Sequence, residues 1–187
     1  MTPIGDATVA RRDRYQRAAI AVYEPVFRFV RRRASAEIAD DVMSDTLLVL
    51  WRRLDDVIDG GELPFCLGVA RRSLANQLRS NDRRGRLFGR LTSTTPRDAF
   101  ETQPAEAVAD HPELRQALAQ LPLGDREVLT MWAWDHLEAR DIAEILGITP
   151  NAAAIRLHRA KQRLSEKLRR KNLLPTGQSI SGATETK

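Results

Sequence analysis

Apolar residues recur at every third or fourth position along most of the chain, which is the spacing of helices that pack through one face. The repeat is clear in residues 15–33, where Pro25 should bend or interrupt the helix. It is absent from residues 1–14, which are polar and predict a loose tail. The pattern therefore predicts an all-α fold.

A second helix is predicted from Ser35, a favourable N-cap residue, to about Leu54. One of its faces is an apolar seam of methionine and leucine. More apolar side chains cover much of the remaining circumference, namely Val42, Leu48, Val49 and Trp51. A helix with so much apolar surface in a small domain lies either at the centre of a bundle or against a partner.

Charge changes sign around the loop that should follow this helix. Residues 55–64 contain two glycines and a proline, which predict the loop, and a third helix is expected over residues 65–79. Residues 37–62 carry eight acidic residues against two arginines, whereas residues 83–90 are rich in arginine. Surfaces this segregated favour two different partners, although simple solvation would explain them too.

The pattern divides the chain into two small helical domains joined by a flexible linker. Residues 15–90 form the first domain. Residues 91–112 contain a Thr-Ser-Thr-Thr-Pro run and little periodic hydrophobicity, as expected of a linker. Residues 113–172 form the second domain, which opens with two helices, and residues 173–187 have the composition of a disordered tail.

A helix-turn-helix is predicted in the second domain. Ile142 and Ile145 lie on one face of a helix that should stop at Gly147, the residue best suited to a left-handed C-terminal cap. After a short turn, the hydroxyl of Thr149 can cap the next helix, and Pro150 can take its first position, where a missing N–H costs nothing. The helix that reads DNA in such a motif should begin there.

This last helix should carry two neighbouring stripes, because each residue rotates by about 100° around the axis. The stripe that packs consists of Ala153, Leu157, Ala160, Leu164 and Leu168. The adjacent stripe is positive and consists of Arg156, Arg159, Arg163, Lys167 and Arg170. The cap, the turn and the two stripes together favour a DNA-reading helix over the alternative, a solvated basic helix packed in a bundle.

The same rotation predicts which side chains of the last helix meet DNA. The exposed flank holds Ala152, Arg156, Arg159 and Arg163, with Asn151 and Ile155 at its edge. Recognition helices present their N-terminal residues to the major groove, so Arg156 and Arg159 are candidates for guanine contacts. Arg163 lies farther along the helix and should meet phosphates.

Composition fits this interpretation. The chain has 187 residues, of which 29% are charged and 5% aromatic, which favours helical cores rich in leucine over a broad sheet. A formal charge of +5 permits a polyanionic partner. Cys66 is the only cysteine, which excludes an internal disulfide, and no signal peptide or membrane-spanning run is present. We therefore expect a cytoplasmic protein in which Cys66 is a small buried side chain.

An enzyme is disfavoured. His111, His136 and His158 are scattered, and Cys66 is distant from all three in sequence. The sequence shows no glycine-rich phosphate loop and no cluster with metal-ligand spacing. We expect no catalytic residue, metal, cofactor or small-molecule substrate.

Taken together, these residues resemble the sigma factors of the extracytoplasmic-function (ECF) group. Residues 39–51, ADDVMSDTLLVLW, look like the second conserved region, where the family binds the clamp helices of the RNA polymerase large subunit. Residues 63–79, LPFCLGVARRSLANQLR, look like the helix that melts and reads the promoter element near the start site. Residues 121–168 resemble the domain that reads the upstream, minus-thirty-five element.

The resemblance implies a transcription initiation factor that binds core RNA polymerase and promoter DNA and that is commonly held inactive by an anti-sigma factor. For polymerase binding it implies Asp40, Asp41, Asp45, Leu47, Leu48 and Trp51. For the downstream promoter element it implies Arg71, Arg72, Asn76, Arg79 and Arg83. The first four of these are about one helical turn apart and should share a face. The acidic loop of residues 55–64 is a candidate wall of a pocket for an extruded base, although by itself it fits an ordinary surface turn better.

Four positions depart from the usual family residues. Phe65, Arg72, Asn76 and Ala152 stand where Trp, Asn, Asp and Thr are common, and such variants resemble actinobacterial members. Two other classes of protein remain open. A response regulator would share the helix-turn-helix, but its first half should alternate strands and helices and carry a phosphoacceptor Asp. A protein-binding regulator without DNA contacts is the second alternative.

Overall fold

The computed structural model describes the backbone of residues 4–88 and 111–170, and the side chains of residues 8–80 and 111–170. All regular elements in these ranges are helices, which confirms the predicted all-α class. The chain divides into two compact units, Met1–Glu101 and Thr102–Lys187. Except for its last two residues, the predicted linker lies outside the described residues, as does the predicted tail.

Three helices form the first unit. They are α1 (Ile4–Arg31), α2 (Ala36–Arg53) and α3 (Glu62–Phe88), and a 3₁₀ turn, Leu54–Asp56, follows α2. Each helix packs against the other two. The largest fully buried side chains of this unit are Val22, Val26, Phe29, Val30, Val42, Leu50, Leu54, Leu67 and Leu74. The helical repeats seen in the sequence thus form one core.

Helix α1 is longer than the sequence predicts. It begins at Ile4, so most of residues 1–14 are helical and the expectation of a loose tail is wrong. Arg11 and Arg14 hold this segment, because both donate hydrogen bonds to the backbone of residues 51–57. The helix also continues through Pro25 without interruption.

Helix α3 also begins earlier and ends later than predicted. It starts at Glu62, so Pro64 does not end a loop but lies in the first turn of the helix, where its missing N–H has no intrahelical acceptor. The true loop is therefore short. Ser35 does occupy the N-cap position of α2, but its hydroxyl makes no capping hydrogen bond.

Four helices form the second unit: α4 (Pro112–Ala119), α5 (Leu123–Ala133), α6 (Ala139–Leu146) and α7 (Pro150–Arg170). The long α7 packs against each of the other three. His111 precedes α4 as its N-cap residue, without a capping bond from its side chain. Arg126 of α5 secures the end of α4 by donating hydrogen bonds to the carbonyls of Leu118 and Ala119, at 3.2 and 2.9 Å.

The described residues contain neither the strands of a response regulator nor a membrane-spanning helix. Residues 4–88, as far as they are described, contain no strand, so the alternation of strands and helices expected of a response regulator is not found. In the described part of the chain, no helix combines the length and the apolar character needed to cross a bilayer.

Our first prediction concerns the turn between α6 and α7. Gly147 has a φ of 68°, and a Cβ added there would have no neighbour within 4 Å. Gly147→Ala should therefore destabilise the second unit through backbone strain alone, by about 1–2 kcal/mol. Gly147→Asn should lose less, because Asn tolerates the left-handed region. Chemical denaturation followed by circular dichroism measures both, and an equal loss for the two variants would contradict this account.

Candidate functional site

Helix α2 buries one face and leaves apolar side chains exposed on the other. Leu48 and Trp51 are 46% and 37% exposed, whereas Leu50 between them is fully buried. A groove of about 620 Å³ lies beside them, lined by Arg12, Tyr15, Ser44, Leu47, Leu48 and Trp51. We call this surface the α2 groove. It contains three of the six residues assigned to polymerase binding, and two of its residues come from α1.

Trp51 is fixed from the side of α1. The ring of Tyr15 meets the Trp51 ring edge to face, with centroids 5.0 Å apart. The guanidinium of Arg11 lies 4.5 Å from the centroid of the same ring. Aromatic and cation–π contacts of this kind orient a ring that remains partly in water. The sequence did not predict that Arg11, Arg12 and Tyr15 lie beside Trp51 or line the groove. Arg11 and Arg12 fell in the predicted loose tail, and Tyr15 was assigned only to a packed helix.

The acidic residues near α2 fall into two groups. Asp40 and Asp41 are exposed on the first turns of α2. Asp45 is exposed too, but its Oδ2 accepts a hydrogen bond of 2.8 Å from the hydroxyl of Ser73 on α3. Asp45 therefore ties two helices together as well as contributing charge to the surface.

The second acidic group is partly neutralised. Asp55, Asp56 and Asp59 form ion pairs with Arg11, Arg53 and Arg14, at 3.0, 3.0 and 2.8 Å respectively. Arg11 and Arg14 belong to α1, so they lie outside residues 37–62, the range over which acidic and basic residues were counted. The expected segregation of acidic and basic surface is accordingly weaker around this turn than a count along the chain indicates.

Helix α3 exposes three of the residues assigned to the downstream element. Arg72, Asn76 and Arg79 are exposed, and we call them the α3 face. Within it, Arg79 donates a 2.7 Å hydrogen bond to Oδ1 of Asn76. Arg71 is half-buried, so it does not share that exposure. The side chain of Arg83 lies outside the described residues.

The turn between α6 and α7 has the chemistry that the sequence predicts. Gly147 is left-handed, and its N–H and that of Ile148 donate to the carbonyls of Glu144 and Ala143, at 3.2 and 3.0 Å. These two bonds form a Schellman motif, which satisfies the last carbonyls of α6. The hydroxyl of Thr149 accepts a 3.2 Å hydrogen bond from the N–H of Ala152 and so caps α7.

Helix α7 confirms the predicted packing stripe, since all five of its residues are buried. The six residues assigned to the upstream element are all exposed: Asn151, Ala152, Ile155, Arg156, Arg159 and Arg163. We call them the α7 flank. Ile155, the apolar member of this flank, is 43% exposed.

Two arginines of the α7 flank also have partners inside their own unit. The guanidinium of Arg156 lies so close to Gly124 that a Cβ at that position would overlap it. Arg163 forms an ion pair with Asp125, whose side chain is only 8% exposed. Helical periodicity predicted that Arg163 is exposed. It did not predict that Arg163 neutralises a buried carboxylate. Arg163 therefore contributes to folding as well as to the surface charge.

Within the described residues, no three side chains of the metal-binding types come together. Burial, with a smaller contribution from Glu62, raises the pKa of the Cys66 thiol to about 12. Cys66 is fully buried, which confirms the expectation of a small packed side chain, and a thiol in such surroundings is unreactive.

Known proteins resemble this chain in sequence and in fold. The family described as Sigma-70, region 4 matches residues 111–164. The ECF RNA polymerase sigma factor EcfG of Rhodopseudomonas palustris (strain TIE-1) is 30% identical over 132 residues, which cover 70% of this chain and 71% of that protein. The sigma factor RpoE of Bartonella quintana, crystallised with the anti-sigma factor NepR, aligns with a TM-score of 0.53 at 20% identity, covering 84% of this chain and 96% of that one.

The pair of Arg163 and Asp125 generates the second prediction. Arg163→Ala leaves a buried carboxylate without its charged partner, so it should lower the free energy of unfolding of the second unit by about 1–3 kcal/mol. Arg159→Ala, which removes an exposed arginine one turn earlier, should change it by less than about 0.5 kcal/mol. Denaturation followed by Trp132 and Trp134 fluorescence, in a Trp51→Phe background, isolates this unit. Equal stability of the two variants would show that the ion pair contributes nothing.

Proposed function

The chain belongs to the ECF RNA polymerase sigma factors, and from that membership we propose that it binds core RNA polymerase and directs promoter-specific initiation of transcription. The first unit attaches to the polymerase and opens the DNA near the start site. The second unit reads the upstream promoter element. This action consists of binding and DNA distortion, so we assign it no catalytic residue and place it in the cytoplasm.

The observation that carries the proposal is the α2 groove. Leu48 and Trp51 keep much of their apolar area in water, at a cost of about 25 cal/mol for each Å² that a partner could cover. Exposed carboxylates at Asp40 and Asp41 lie on the same helix. A combination of apolar and acidic side chains suits a partner with an apolar and basic surface. We assign core RNA polymerase to this surface, with Asp45 and Leu47 as further contacts.

DNA near the start site is assigned to the α3 face. Arg72 and Arg79 supply cations for the phosphates of a separated strand, and Asn76 supplies hydrogen bonds to a base edge. The guanidinium of Arg79 already bonds Asn76, so the two side chains are oriented as a pair before DNA arrives. Arg71, which is half-buried, and Arg83 remain proposed contacts with the same DNA.

The upstream element is assigned to the α7 flank. The cap at Thr149 fixes where α7 begins, so the first two turns can enter a major groove with Asn151 and Arg156 foremost. Arg156 and Arg159 can each offer two donors to one guanine. Because each unit alone would bind weakly, attachment to the polymerase should supply the affinity by holding the two units at a fixed separation.

A regulatory partner is also proposed. The Bartonella quintana protein was crystallised with an anti-sigma factor, and a protein that covers the α2 groove would prevent attachment to the polymerase. We propose that this chain has an anti-sigma partner of that kind, by analogy of family. The actinobacterial type stays a prediction from the departures at Phe65, Arg72, Asn76 and Ala152.

The third prediction tests the α2 groove. Leu48→Asp should weaken binding to core RNA polymerase by roughly tenfold or more, because it places a charge where apolar area is to be buried. Ile20→Asp is the matched control, since Ile20 is a 71% exposed aliphatic residue on α1 of the same unit. Fluorescence anisotropy of the labelled full chain with core polymerase measures both. Unchanged affinity in Leu48→Asp, with intact circular dichroism, would remove α2 from the interface.

The fourth prediction tests base reading by α7. We take a promoter selected by the chain and core polymerase from a randomised DNA library, and a copy with one substitution in its upstream element. Arg156→Ala should lose about 1–3 kcal/mol on the selected promoter and much less on the substituted one. Lys167→Ala, the removal of a cation farther along α7, should weaken binding to both alike. Equal losses on both DNAs for Arg156→Ala would exclude Arg156 from base reading.

A further inference from the structure

Arg14 of α1 reaches the turn that joins α2 to α3. Its Nη1 donates to the carbonyl of Leu54 at 2.9 Å, and its Nη2 donates to the carbonyl of Val57 at 2.5 Å. The same guanidinium lies 2.8 Å from Oδ1 of Asp59. One side chain thus bonds three positions spread over the whole turn, from a residue 40 positions earlier in the chain.

Arg14 fastens a turn whose first part is packed and whose second part is exposed. Leu54 and Val57 are buried, at 0% and 7% exposure. Carbonyls at the end of a helix lack some of their intrahelical donors. Arg14 supplies a donor to the carbonyl of Leu54, which also accepts from the N–H of Val57 at 3.2 Å, and another to the carbonyl of Val57 at the end of the 3₁₀ turn. Beyond Val57 the backbone makes a tight bend, with Gly60 at a φ of 83° and a 2.8 Å bond from the N–H of Gly61 to the carbonyl of Ile58. The side chain of Ile58 is 82% exposed, so packing does little to hold this bend.

The position of the turn also determines how α3 begins. Gly61 accepts a backbone hydrogen bond from Phe65 at 3.2 Å and so lies at the first turn of α3. The α3 face starts at Arg72, about three helical turns after Gly61 on the same helix. A displaced turn would alter both the entry of α3 and any wall that residues 57–61 offer to DNA.

We propose that Arg14 is a positioning residue for promoter opening, because its guanidinium fixes the turn between α2 and α3, from which the helix that carries the α3 face begins. The inference rests on the proposed function. In this arrangement Arg14 touches no DNA. It acts through the turn. Its loss should therefore reduce the preference for the selected downstream element over a substituted one, and should not abolish attachment to the polymerase.

The test compares promoter opening on two DNAs. One is the promoter selected from the randomised library, and the other carries one substitution in the downstream element. Permanganate reactivity of the melted strand is measured with the full chain and core polymerase. Wild type should favour the selected promoter by roughly tenfold or more, as expected for one mismatched position. The ratio does not depend on the fraction of folded protein, so a purely structural loss would leave it unchanged.

Arg14→Ala should reduce this ratio at least about threefold while keeping core affinity within about twofold of wild type. Arg17→Ala, which removes an exposed arginine from the same helix, is the matched control and should keep the wild-type ratio. Arg14→Lys retains the charge but not the planar guanidinium, so it should give a ratio between those of wild type and Arg14→Ala. This variant replaces Arg14→Ala in the test if Arg14→Ala does not fold. A wild-type ratio in the folded Arg14 variants would overturn the inference.

A double variant separates positioning from charge. Arg14→Ala leaves Asp59 unpaired, and its carboxylate would repel phosphates. Arg14→Ala combined with Asp59→Asn removes that repulsion without restoring the bonds to Leu54 and Val57. A ratio that stays low supports positioning, and a ratio restored to the wild-type value overturns it in favour of charge. Failure of wild type to open either promoter would instead contradict the proposed function itself.

Discussion

Hydrogen bonding at helix ends determines where the functional helices of this protein begin. A helix ends with carbonyls that lack donors, and each unit meets that requirement with specific groups. In the first unit Arg11 brings a guanidinium donor to the last turn of α2, and Arg14 brings two to the turn that follows α2. In the second unit the Schellman bonds at Gly147 close α6, and the Thr149 hydroxyl opens α7. The α3 face and the α7 flank are presented by helices whose starts are fixed in this way.

In both units a helix packs through one face and leaves another exposed. On α7 the packing stripe is buried in the core, and the neighbouring flank is exposed. On α2 the apolar residues exceed what the bundle can cover, and Leu48 and Trp51 remain exposed. The exposed side chains of the two helices differ in chemistry, since those of α7 include cations and those of α2 include apolar groups. Cations suit a polyanion, whereas apolar side chains suit a protein partner.

The sequence predicted the helix-turn-helix well because its determinants are local. Each hydrogen bond of the turn joins residues no more than five positions apart, namely Gly147 to Glu144, Ile148 to Ala143 and Ala152 to Thr149, so spacing alone reveals them. The start of α1 could not be predicted in the same way. Its arginines bond carbonyls 40 or more residues away, and a polar segment gives no sign of that partner.

The same distinction applies to individual site residues. Rotation around a helix axis correctly places Arg72, Asn76 and Arg159 on the surface, because exposure follows from periodicity. Periodicity does not reveal that Arg163 neutralises Asp125, which lies 38 residues earlier and on another helix. It also places Arg71 with its neighbours on α3, although packing of the unit leaves that side chain half-buried.

The central claim is that this chain recognises promoter DNA as part of RNA polymerase. The most direct measurement is nuclease and permanganate footprinting of the selected promoter with the full chain, with core polymerase, and with both. We predict protection of an upstream and a downstream element, and a melted segment, only when both are present. Protection of the same two elements by the chain alone, or no melted segment with both present, would contradict the account.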